Sequence, residues 1–172
     1  MGKEQFVAVA LLLGLLGIAV ASDIRRHRIP NFLVLLGLIL GVGSQAYASG
    51  AIGAGHGALG LLVGFAVFLP LYALGGMAAG DVKLMAMVGS FLSPQSALWV
   101  AALSLIAGGM CAVLIIFVRG QVQQTFGRYW LMLRERAYFA PAQDEVAGKP
   151  FPYSVAVLLG TLASIFWLPL GQ

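Results

Sequence analysis

Residues 75–89 read GGMAAGDVKLMAMVG, and the fold turns on how this stretch is placed. A run of small residues, Gly75 to Gly80, leads into one carboxylate, Asp81, at the head of an apolar segment. An ionisable residue at the edge of such a segment is costly and marks a functional site. Asp23, which follows the apolar run 6–21, flanks a hydrophobic span in a comparable way.

The surroundings are those of a membrane protein. Of 172 residues 60% are hydrophobic and only 9% are charged, against about 25% charged in soluble domains. A spanning helix takes roughly 20 apolar residues, which leaves room for several spans and no separate soluble domain. Six apolar segments can be drawn, at about 5–22, 30–49, 52–74, 82–97, 98–118 and 151–170. The expected fold class is all-α: a polytopic membrane helix bundle of about six transmembrane helices, a single domain over residues 1–172. In the first segment the basic cluster follows the apolar run, the wrong polarity for a cleaved signal, so it is taken as a membrane helix. Pro70 is a candidate kink in the third segment.

The fourth segment is the short one, because Ser93-Pro94 interrupts it about a dozen residues after Asp81. At 1.5 Å per residue that helix covers roughly 18 Å, less than the hydrocarbon core. Charge parity favours a crossing over a re-entrant loop. If it crosses, Arg25, Arg26, Arg28, Lys83, Arg119, Arg128, Arg134, Arg136 and Lys149 all fall on one side, and only Lys3 lies elsewhere. The positive-inside rule makes that side cytoplasmic, with both termini outside and both aspartates at the cytoplasmic boundary. The net charge of +4 is thus a matter of topology, not of nucleic acid.

Residues 119–150 form a polar connection in which Phe126, Tyr129, Trp130, Leu131, Leu133, Tyr138 and Phe139 alternate with charges. This pattern predicts an amphipathic surface helix across 122–138, anchored to lipid headgroups, followed by a tether. Glycines at 53, 55, 57, 60, 108 and 109 favour close helix approach and allow a homodimer. Cys111, alone and within an apolar run, excludes an internal disulfide framework. His27 sits in a basic run and His56 among glycines near the opposite end, so a zinc site is not expected.

Each aspartate has a bland explanation: Asp81 as a helix N-cap, Asp23 as counter-ion to its neighbouring arginines. Together they point to acid–base chemistry. Like charges a few ångströms apart cannot both ionise, so two such carboxyls share a proton. The ionised member can activate water while the protonated one donates to a carbonyl oxygen. The strip Gly75–Gly80 offers room for an extended substrate backbone. Lys83 either tunes the pair or reaches out to the interface.

These residues resemble the type IV prepilin peptidase family. Asp23 ahead of Ile29-Pro30-Asn31 is similar to its first aspartate motif. Gly80-Asp81 followed by Val82, Lys83, Leu84, Met85 and Ala86 is similar to its second, Gly-x-Gly-Asp, with Ala78 replacing the first glycine. Pro150-Phe151-Pro152-Tyr153 resembles a Pro-Tyr element of the same family. The resemblance implies an aspartic endopeptidase with Asp23 and Asp81 catalytic and Gly80, Lys83, Pro30 and Asn31 in support. It implies a prepilin or pseudopilin substrate, losing a short basic leader at the cytoplasmic face of the bacterial inner membrane. With no paired-cysteine region, the chain resembles the short branch that serves Flp, or tight-adherence, pili; preflagellin-type peptidases are a neighbouring alternative. No metal or organic cofactor is implied. Two readings stay open beside it: another intramembrane Gly-Asp protease of the signal-peptide-peptidase type, and a proton-coupled carrier that uses the acids as a relay.

Overall fold

The computed structural model describes residues 3–120, 127, 130, 132, 134 and 152–167. Every element printed among them is a helix: α1 (Lys3–Arg26), α2 (Asn31–Ala73), α3 (Ala79–Ser90), α4 (Pro94–Val118) and α5 (Ser154–Trp167). Three of these, α1, α2 and α4, are long and apolar enough to cross a membrane, so the protein is an integral membrane protein. Residues 1–107 with 152–172 pack as one compact unit, and residues 108–151 as another. In the second unit, the end of α4 exposes Met110, Val113, Leu114 and Phe117 and closes on Gly120, whose φ is +65°. The surface helix expected at 122–138 falls largely outside the described residues.

At 43 residues, α2 would be roughly 64 Å long if straight, about twice the hydrocarbon core. It is not straight. Ser49 and Gly50 leave helical geometry, Gly50 with φ +62° and ψ −142°, a conformation open to glycine and strained for any other residue. The break, and not Pro70, divides α2 into arms 31–48 and 51–73. A Cβ on Gly57 would come within 3.3 Å of the Val42 Cα, and one on Gly53 would strike the Gln45 carbonyl. The arms therefore lie back to back, matching the expected segments two and three.

α3 fills the centre. From Val82 to Ser90 it is buried except at Lys83, as befits a helix apolar on all sides. Gly37, Gly41, Gly57, Gly60 and Gly64 of α2 recur at helical spacing and receive it: their missing side chains are replaced by Met87, Ser90, Gly89 and the Met85 carbonyl. Small residues let backbones touch in this way.

The expected fourth segment is shorter than drawn. Residues 91–97 do not extend α3; Ser93 caps α4, accepting the Ser96 N–H at 3.3 Å, and Pro94 takes the first helical position, where its missing N–H costs nothing. α5 returns to the first unit at Tyr153, whose ring meets Phe68 edge-on with centroids 5.8 Å apart and whose hydroxyl donates to the Ser104 carbonyl at 3.2 Å. Farther along, Gly160 lies against the Ser104 backbone.

Candidate active site

Asp23 continues the buried stripe of α1. Leu12, Leu16 and Ala19 precede it at spacings of four and three and are wholly buried, so the next turn turns a carboxylate toward the core. Asp23 is 8% exposed. The helix then stops. His27 donates to the Asp23 carbonyl at 2.8 Å and adopts a left-handed φ of 48°, and Ile29-Pro30 cannot continue the helix. Arg25, Arg26 and Arg28 are exposed. The hydrogen bond to the Asp23 carboxylate comes instead from Ser154, at 2.6 Å across 131 residues of sequence.

Asp81 is 5% exposed. The sequence suggests an N-cap, but the cap is Ala78, in extended geometry at φ −82° and ψ 153°, and Asp81 stands in the third helical position. Its Oδ2 accepts the Ala78 N–H at 3.1 Å, the reaching-back half of a capping box. Alanine has no acceptor to supply the other half. Ala78 stands where the family motif has its first glycine, and its φ of −82° is one that alanine adopts without strain. The left-handed residue is Gly75, at φ +76°, in the exposed turn before α3.

The two motifs meet at this end of the bundle. Lys83 Nζ donates to Asn31 Oδ1 at 3.1 Å. The Pro30 carbonyl accepts the amides of Leu33 and Val34 and so starts α2. A side chain on Gly80 would meet Ile29 at 3.6 Å, an ordinary contact. Of the expected supporting residues, Lys83 and Asn31 touch each other, Gly80 faces Ile29, and Pro30 acts on its own helix.

Asp81 precedes the apolar run that starts at Val82 and lies outside the three long apolar helices. Its carboxyl is pushed up from 3.8 to about 6, chiefly by burial. The Ala78 amide works against that rise, and repulsion from the Asp23 charge adds to it. The Asp23 charge is thus felt at Asp81. Such a pair can act as base and acid together. Among the described residues no cluster of three or more His, Cys, Asp or Glu could hold a metal ion. His56 instead lines a cavity of about 300 Å³ at the other end of the bundle, with Glu4, Gln45 and Ser93.

Sequence reasoning missed Ser154. The signal was its place directly after the Pro-Tyr element, at the first position of the last helix.

Neither a curated protein nor a solved structure gives a significant match to this chain. A family model described as the type IV leader peptidase family matches residues 10–113. That range is more than half of the chain and takes in both aspartates, Ile29-Pro30-Asn31 and the whole of 75–89. The protein belongs to the type IV leader peptidase family, a family of proteases.

Proposed function

We propose that this protein is an aspartic endopeptidase that removes the short basic leader from Flp-type prepilins at the cytoplasmic face of the bacterial inner membrane. Asp23 and Asp81 are its catalytic residues. The observation that carries this reading is the pair of buried carboxyls, on different helices, whose charges interact.

The mechanism follows from one shared proton. The ionised carboxylate takes a proton from water as its oxygen attacks the scissile carbonyl carbon, and the protonated carboxyl gives its proton to the carbonyl oxygen. In the tetrahedral intermediate the roles reverse. The first aspartate gives its proton to the leaving amine, the second takes one back from a hydroxyl, and the starting state returns. The exposed turn 74–78 offers an edge along which an extended leader can lie beside Asp81. The basic residues of 25–28 and Lys83 set the topology: both termini periplasmic and six crossings, α3 traversing a thinned region from Val82 onward with Asp81 at its cytoplasmic boundary.

The deciding experiment mixes the purified protein in detergent or liposomes with a candidate Flp-type prepilin and follows the pilin by mass spectrometry. Wild type is expected to release a short basic leader, and Asp23→Asn and Asp81→Asn to release none while remaining folded. Failure of folded, correctly oriented wild type on several authentic prepilins refutes the peptidase reading and favours a proton relay.

A further inference from the structure

We propose that Ser154 is a positioning residue whose hydroxyl holds Asp23 in its ionised form, making Asp23 the base and leaving the shared proton on Asp81. This rests on the peptidase reading above and names which carboxyl does what.

A buried hydroxyl must place its proton somewhere. While the buried Ser164 hydroxyl has no partner among the described residues, three other buried hydroxyls of this bundle place it on their own helix: Ser90 donates to the Met87 carbonyl, Ser104 to Val100 and Thr161 to Val157, each at 2.7 Å. Ser154 cannot do so. It is the first residue of α5, with no helical turn behind it to offer a carbonyl. It is wholly buried, and its Oγ donates instead to Asp23 Oδ2 at 2.6 Å, a bond that favours the ionised form of the acceptor. The position of Oγ is fixed from behind, because Tyr153 is pinned between Phe68 and the Ser104 carbonyl.

The partner carboxyl is held differently. Asp81 Oδ2 accepts the backbone N–H of Ala78 at 3.1 Å, a longer bond from a neutral amide. Burial disfavours charge on Asp81, and Asp23 disfavours it further. The remaining charged groups nearby are turned outward: Arg25, Arg26 and Arg28 are exposed, and Lys83 is exposed and bonded to Asn31. Among the described residues no cation bonds to either carboxyl, and of the two only Asp23 accepts a buried hydroxyl. Asp23 then takes the proton from water, and Asp81 supplies the carbonyl oxygen.

The test uses the full chain in detergent with 13C-labelled aspartate. The sequence holds three aspartates, Asp23, Asp81 and Asp144, so each carboxyl signal can be identified by an Asp→Asn variant. In Ser154→Ala the Asp23 carboxyl is expected to titrate about one pH unit higher than in wild type. The acid limb of the kcat/KM profile for prepilin cleavage should move up by the same amount. Ser154→Thr, which keeps the hydroxyl, should restore both, and should Ser154→Ala not fold, Ser154→Cys replaces it with a weaker donor and a smaller upward shift. An unchanged Asp23 titration in a folded variant lacking the hydroxyl overturns the proposal. If the titration moves but wild type cleaves no prepilin, the proton assignment stands and the peptidase reading falls.

Discussion

Replacing Gly89 by alanine tests the seam on which the site depends. Gly89 lies eight residues after Asp81 on α3, about 12 Å along the axis. A Cβ there would strike the Gly60 carbonyl oxygen and come within 2.8 Å of its carbon and 3.3 Å of the Leu61 nitrogen. All three are backbone atoms, so relief requires α2 and α3 to move apart, and overpacking of this kind costs about 1–3 kcal/mol, here toward the upper end. The gain in helix propensity offsets roughly 0.8–1 kcal/mol, leaving a net loss of about 2 kcal/mol. For a chain of this size that is a fall in Tm of about 4–8 °C. Gly55→Ala is the control: its Cβ would meet nothing within 4 Å, and Tm should hold or rise. Thermal unfolding of the two variants in the same detergent, followed by circular dichroism, gives the comparison. If Gly89→Ala is as stable as Gly55→Ala, the backbone seam is not what holds α3 in place.

Two further outcomes follow from the site. Asp81 must be protonated to act as the acid, and its carboxyl titrates near 6 rather than 3.8, so kcat/KM should fall about tenfold per pH unit above that value. The same raised carboxyl favours the folded state most below pH 3.8, an advantage lost as pH rises through about 6, which unfolding at several pH values measures. Gly80→Ala should fold as wild type, with Tm equal or slightly higher, because the added methyl meets only Ile29 at ordinary distance; a clear drop in Tm contradicts this.

The apolar segments were legible because a bilayer demands long runs of apolar side chains, and the break at Ser49-Gly50 falls where the second and third were divided. The end of α3 was not. Phe91 and Leu92 are buried and read as more helix, whereas the capping chemistry of Ser93-Pro94 begins the next one. Asp81 looked like a cap because Gly-Asp before an apolar run is the usual signature; its true place, two residues past the helix start, depends on where Ala78 turns extended. Asp23 and Asp81 could be singled out as acids at span ends. Ser154 had only its place after the Pro-Tyr element to mark it, since a serine carries no periodic signal and its partner lies 131 residues away.

That both acids reach one end of the bundle follows from the count of elements between them. α1 ends just after Asp23, and α2 starts at Asn31 on the same side, after a link of four residues. Because α2 folds back on itself, its last residue, Ala73, returns to the end where it began, and α3 starts from there. The other end confirms the parity: Glu4 from the start of α1, Gln45 and Ser49 from the break, and Phe91 to Ser93 from the end of α3 line one cavity. A straight α2, or a hairpin with one arm removed, would deliver Asp81 to the end opposite Asp23. Gly50, the residue that permits the reversal, is thus necessary to placing the two carboxyls at one end of the bundle, although it lies at the other end from both.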